Sequence, residues 1–308
     1  MITFMIHTPI NSRGYLMGYL KDNLVSLEKE IGEEISLVTP HDYEHTKHCT
    51  ESWLLPCVKD DTLPDIILTH AGEFADLKDF NLEDHFSTSF AEKYNQDNPV
   101  RTELEILKDP KGIFYPLFVV PVSMGYNKKN LDEKYISGSW NDLFNENIKI
   151  ILPALEKPLT KAFLSFIMEN FPEKSSNFFN NISFGNSPVD VVRSIAAGEF
   201  DMAVSNISFI NMMKNKNIDL NTPKEGVMLL PQVLAWKKNA DEKVLKVTEL
   251  LMKKEIQNYL GEQDFWPSLE NSFLGESFKN NELLKSWQGW EKYINSIVNF
   301  EKRRGEIW

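Results

Sequence analysis

Two histidines stand where apolar runs that read as buried strands come to an end. His7 closes Ile2–His7 and leads into Thr8-Pro9-Ile10-Asn11-Ser12, while His70 follows Asp65–Thr69 and leads into Ala71-Gly72. The chain has only six histidines, so two at comparable strand ends are the first residues that can do chemistry. An imidazole titrates near neutrality, donates or accepts hydrogen bonds, and ligates metals. In open α/β sheets solutes bind beyond the carboxyl ends of strands, where helix N-termini present unpaired N–H groups to polar or anionic ligands. By that rule His7, Thr8, Asn11, Ser12, Thr69 and His70 are ligand-contact candidates, with loop capping as their alternative role. Further along, Lys157 and Thr160 sit at a strand-to-helix junction, and Ser205 and Asn206 end the run Asp201–Ser205. Ser123, Tyr126 and Gln232 lie on two long extended runs and are candidates for the floor of a site. Ser and Asn at such places serve an oxyanion or an amine, and equally well cap a helix.

A second cluster, His41, His45 and Cys49, falls at i, i+4 and i+8 if Asp42–Leu55 is helical, with His48 on a neighbouring edge. Such a face supplies some metal donors but not a complete set, and the paired-cluster spacing of structural zinc sites is missing. A polar helix with one inward cysteine is the favoured account, so these are weak metal candidates. No cofactor is indicated: the chain lacks a phosphate-cradling Gly-rich loop, a dinucleotide fingerprint after the first strand, and a Gly-x-Ser-x-Gly elbow. With 45 acidic residues, accidental carboxylate pairs are inevitable, and none earns a general acid or base role.

A net charge of −12 disfavours nucleic acid and anionic membranes as partners, and the one tight basic cluster is Lys302-Arg303-Arg304 near the C-terminus. No stretch approaches the roughly 20 apolar residues of a membrane helix. Met1 runs straight into the first strand without a basic or apolar leader. The expected location is therefore extracytoplasmic, periplasmic or lipid-anchored, if a signal has been removed, and cytoplasmic otherwise. The cysteines, Cys49 and Cys57, either close a small loop or are unpaired structural thiols.

The elements that must position these residues alternate between strand and helix, which indicates an α/β class. Ile2–His7, Ile35–Thr39 and Asp65–Thr69 read as strands, with a polar turn at Asn11–Gly14 and a helix over Tyr15–Ile31 whose stripe is Leu16, Leu20, Leu24, Leu27 and Ile31. Arg101–Lys108 and Ile113–Tyr126 read as extended, the second interrupted by Pro116 and Pro121. Beyond them the pattern restarts, with helices at Trp140–Phe144, Leu159–Asn170, Pro188–Ala197 and Ile207–Met213, and strands at Ile148–Leu152 and Asp201–Ser205. Gly226–Trp236 returns as a strand, Asp241–Leu260 as one long helix, and Glu282–Arg304 as a tryptophan-rich helix. At 308 residues two lobes are expected. They are lobe 1 over 1–120 and 230–270, lobe 2 over 121–229, and C-terminal helices over 271–308. The hinge strands are Val119–Met124 and Leu230–Trp236.

Four stretches in this order resemble the type 2 periplasmic binding proteins, the solute receptors of ABC importers, in their iron, spermidine and molybdate branch. LPDIILTHAG is similar to the family's Pro-Asp-hydrophobic strand, and VVPVSMGYNKKNL to the crossing strand that ends in Tyr-Asn-Lys-Lys. SPVDVVRSIAAGEFDMAVSNIS resembles its helix-Gly-Glu-strand unit. WKKNADEKVLKVTELLMKKEIQNYL resembles the returning strand and helix, with FWPS in the place of a terminal Gly-x-x-Pro. The resemblance implies two doubly wound mixed-sheet lobes linked by hinge strands, and a small polar ligand captured in an inter-lobe cleft by hinge closure. It further implies a monomer that hands its ligand to an ABC permease without turnover. A cytoplasmic enzyme or a ligand sensor on the same fold is the alternative. The chain departs from the pattern in lacking the adjacent Tyr-Tyr pair that iron receptors use, which argues against ferric iron.

Overall fold

In a computed structural model, which describes residues 1–42, 53–214, 217–278 and 281–307, the opening run forms strand β1 (Ile2–His7). It leads through Pro9 into helix α1 (Ile10–Ile31), strand β2 (Ile35–Val38), helix α2 (Leu54–Lys59) and strand β3 (Ile66–His70). Strand β1 pairs in parallel with both β2 and β3. Phe4, Met5, Ile6, Ile66, Ile67 and Leu68 are all fully buried. Burial on both faces explains why these strands are continuous apolar runs without alternation. Helix α1 buries the Leu16, Leu20, Leu24, Leu27 and Ile31 stripe and ends at Gly32, whose φ of 69° places it in the left-handed cap. It starts earlier than the sequence suggests. Pro9 precedes the first turn, and Ser12 donates from both its N–H and its hydroxyl to the Pro9 carbonyl, so the expected polar turn is helical.

After helix α3 (Thr88–Asp97), Thr102–Leu107 folds as a 3-10 turn and not as the extended run expected there. The cause is tertiary. Arg101 is buried and its guanidinium donates to the carbonyls of Pro267 and Ser272, while the Glu270 carboxylate accepts from the Thr102 N–H. Strand β4 (Tyr115–Asn127) then runs through both prolines without a break. Pro121 falls between Val119, paired with one neighbour, and Val122, where pairing with another begins, so its missing N–H interrupts neither ladder.

Beyond β4 come β5 (Ile150–Leu152), α4 (Pro158–Asn170), α5 (Pro172–Asn181), β6 (Ile182–Phe184), α6 (Pro188–Ala197), β7 (Met202–Asn206), α7 (Ile207–Met213) and β8 (Ile218–Asn221). Helices α4, α5 and α6 each open on proline, which suits a first turn whose N–H groups have no intrahelical acceptor. The chain returns through β9 (Met228–Trp236), α8 (Lys243–Glu249), α9 (Lys254–Glu262) and β10 (Trp266–Pro267), and ends with α10 (Trp290–Ile307). Two helices therefore replace the single one expected over Asp241–Leu260. The chain is extended at Lys253, and the Gln257 side chain donates to the Leu251 carbonyl that the break leaves open. The expected C-terminal helix is likewise divided, a 3-10 turn at Asn281–Ser286 preceding α10.

Contacts divide the chain into two units, Met1–Val119 with Pro231–Gly275, and Val120–Leu230 with Glu276–Trp308. In unit 1 the strand order is β2-β1-β3-β9-β4, with β9 antiparallel to β3 and β10 antiparallel to β4. In unit 2 it is β4-β7-β5-β6, with β8 also on β4. Each is a mixed sheet flanked by helices. In unit 2 Val191, Val192 and Ile195 of α6 pack with Phe209 and Ile210 of α7 against Ile151 and Ala203. Gly125 of β4 makes that approach feasible, since a Cβ there would lie 3.2 Å from Ile195 and Ile210 carbons. Gly125→Ala should therefore overpack this layer and lower stability by about 1–3 kcal/mol, read as a lower denaturation midpoint. An unchanged midpoint would mean that the layer is not tight.

Candidate functional site

The parallel register of β1 and β3 sets His7 opposite Thr69, so the loops leaving their carboxyl ends begin side by side. Thr69 Oγ1 lies 3.4 Å from His7 Nδ1. His70 is the last residue of β3, and Ala71–Leu77 continues as a 3-10 helix. Residues three apart eclipse in such a helix, so Glu73 comes back over His70. Its Oε1 sits 2.9 Å from His70 Nε2 and 3.7 Å from His7 Nδ1. The two imidazoles meet edge to face with centroids 5.5 Å apart. One donor atom from each of His7, His70 and Glu73 lies within 4.8 Å of the others, and among the described residues this is the one cluster of at least three His, Cys, Asp or Glu side chains with that closeness.

Burial dominates the electrostatics. It pulls His7 down to a pKa of about 4, against the opposing pull of the Glu73 carboxylate, with His70 and Arg13 adding to the depression. At neutral pH the His7 ring is therefore uncharged and keeps a nitrogen lone pair. His70 is buried, and its Nδ1 makes no hydrogen bond. The buried Trp53 indole meets the His7 ring edge to face with centroids 6.5 Å apart, and the Trp53 Nε1 likewise makes no hydrogen bond. Two imidazoles and a carboxylate are a donor set for a cation, and three protein ligands leave coordination positions open.

Other strand-end candidates of unit 1 are partly drawn in. Gln232 on β9 is in register with His70 and is buried. The Ser12 hydroxyl donates to Thr8 Oγ1 and to the Pro9 carbonyl, so this pair ties down the start of α1. Asn11 lies in the first turn of α1, where its carbonyl accepts from the Tyr259 hydroxyl. His41 is exposed in the short turn Pro40–Asp42, whereas His45, His48 and Cys49 lie outside the described residues. Cys57 in α2 is buried with a free thiol, which burial pushes up in pKa.

In unit 2, Ser123 and Ser205 are cross-strand partners on β4 and β7. Their hydroxyls donate to the carbonyls of Asn221 and Pro188. Asn206 caps α7 by accepting from the Phe209 N–H, and the Thr160 hydroxyl donates to the Pro153 carbonyl. Tyr126 is buried on β4, and half-buried Lys157 immediately precedes α4. Sequence reasoning missed Glu73. The signal available was a carboxylate three residues beyond a strand-end histidine, which matters only if the intervening turn is tight.

Residues 61–295 match the sequence profile of a family described as bacterial extracellular solute-binding protein. The chain belongs to this family. It is a family of binding proteins, so the chain is a solute-binding protein, and its fold is that of the periplasmic binding proteins. No curated protein sequence matches it. Among solved structures, a ferric binding protein from Campylobacter jejuni superposes with a TM-score of 0.72 at 16% identity, covering 100% of this chain and 99% of that one. Iron-bound HitA from Pseudomonas aeruginosa gives 0.75 at 11% identity over 99% and 98%. A protein described as an ABC transporter from Clostridium perfringens gives 0.71 at 13% over 100% and 98%. At these identities the likeness is one of fold.

Since the His7 pKa in the folded chain lies below the ordinary 6.5, unfolding takes up a proton between those values. The stability tied to the uncharged ring is complete above pH 6.5 and is lost as pH falls toward 4. NMR titration of the His7 imidazole should show a midpoint near 4. A midpoint at or above about 6 would mean that the ring is solvated.

Proposed function

We propose that the chain is the receptor of an ABC importer, works outside the cytoplasmic membrane, and takes up its solute through the strand ends of unit 1. His7, Thr69, His70, Glu73 and Gln232 line that part of the site. The observation that carries this reading is the convergence of three titratable side chains from two strands and a following turn within 4.8 Å. Strand ends of an α/β sheet are where such folds hold their ligands, and clustered buried titratable groups are costly unless they have a task. The Campylobacter and Pseudomonas neighbours are described as ferric-binding and iron-bound, which supports a cationic solute in a receptor of this fold. The receptor retains its solute unchanged and passes it to a permease, so its measurable property is affinity.

Native mass spectrometry of protein purified without dialysis tests the reading. The wild-type chain should carry a stoichiometric adduct. His70→Ala should lose it, or hold it at least about tenfold more weakly, with an unchanged circular dichroism spectrum. An adduct retained in full by both His70→Ala and Glu73→Gln would remove the unit 1 strand ends from the solute site.

A further inference from the structure

Building on the reading above, we infer that the cluster of His7, His70 and Glu73 selects a divalent first-row transition ion of the nickel, cobalt, copper or zinc class over ferric ion. Its donors are two imidazole nitrogens and one carboxylate oxygen, all within 4.8 Å of one another. Imidazole suits borderline divalent ions, while a hard trivalent ion is best met by oxygen donors. His70 is placed to act as such a ligand. Its Nε2 lies 2.9 Å from Glu73 Oε1, which in turn lies 3.7 Å from His7 Nδ1, so the donor atoms of the three side chains face one another.

The described tyrosines of unit 1 supply no competing phenolate here. Tyr94 and Tyr115 are buried, and their hydroxyls donate to the Thr248 carbonyl and to Met252 Sδ. Burial holds both phenols above their ordinary range. Tyr259 donates to the Asn11 carbonyl and stacks on Tyr15 with centroids 3.6 Å apart, and Tyr15 in turn stacks with Tyr19, all three on helices α1 and α9. Two nitrogens and one carboxylate therefore set the preference, with open positions left for water or for a chelator that arrives with the ion.

The full chain, stripped with a chelator, is titrated with nickel, cobalt and zinc chlorides and with ferric nitrilotriacetate, by calorimetry and by tryptophan fluorescence. One divalent ion should bind per chain, at least about tenfold tighter than iron from the ferric chelate. His70→Ala and Glu73→Gln should each weaken it by about 10–100-fold, the range for loss of a ligand or its orienting partner. Nickel and cobalt should quench fluorescence, and Trp53→Phe should remove much of that quench, because the Trp53 and His7 ring centroids are 6.5 Å apart. Zinc should shift the His7 and His70 ring resonances of the wild-type chain, a readout that no misfolded variant can imitate. Preferential ferric binding, or divalent binding undiminished in a His7→Ala/His70→Ala chain, overturns the inference. If no divalent ion binds while the purified adduct still depends on His70, the solute site stands and the metal class falls. If neither dependence is found, both fall.

Discussion

The parallel pairing of β1 with β3 is the constraint on which the site depends. It is tied at both ends by side chains. At the start of the pair Asp65 accepts from the Thr3 N–H at 2.8 Å, and at its finish Thr69 Oγ1 approaches His7 Nδ1. Between those ties the strands are buried on both faces, so a slip of one residue would exchange every side chain between two packed layers. Register is therefore specified twice, by packing and by polar contacts. Because it is, two histidines 63 positions apart in the chain arrive with their rings 5.5 Å apart. The 3-10 turn after β3 then adds Glu73, which an α-helical turn would carry round to a different angle.

How the chain treats its buried polar groups separates those that serve the fold from those that are left open. In unit 2 Asp142 is buried, and its carboxylate accepts from the N–H and hydroxyl of Ser137, the N–H of Ser139 and the amide of Asn221. That is full satisfaction by the protein, as expected of a group whose task is to hold a loop. Ser123, Ser205 and Thr160 behave similarly, each donating to a backbone carbonyl. In unit 1 the Arg101 guanidinium ties the chain to the Pro267 and Ser272 carbonyls, although its Nε makes no hydrogen bond. The imidazole of His70 has one nitrogen facing the Glu73 carboxylate, while its Nδ1, like Trp53 Nε1 beside the cluster, makes no hydrogen bond among the described residues.

Which parts of this were legible in the sequence follows from where the stabilising interactions are made. Strands β1 and β3 are readable because burial on both faces leaves no polar position to confuse the run, and α1 because its leucines recur on one face until Gly32. Helix α6 carries its whole punctuation locally, with Ser187 as cap, Pro188 in the first turn and Gly198 as the left-handed stop. Several misreadings fall where a group outside the segment decides. The 3-10 turn after Arg101 is held by carbonyls and a carboxylate from Pro267–Ser272, the break before α9 by the Gln257 amide, and the unbroken passage of β4 through Pro121 by a change of partner strand. His7 and His70 could be named because strand ends are readable. Glu73 could not, because its place depends on a turn geometry that leaves no local mark.

Structures matching at 11–16% identity nevertheless superpose over essentially their whole length. What such distant chains share is the order of strands and helices and the depth at which each is buried, which many apolar sequences can meet. The residues at the strand ends are under no such obligation. They are free to change chemistry while the sheet beneath stays the same, which is why a fold hosts many ligands and names none of them. Neighbours that share the fold therefore do not supply the chemistry of this chain's strand ends. In this chain the strand ends of unit 1 bring together two imidazoles and a carboxylate, a grouping the fold by itself does not dictate.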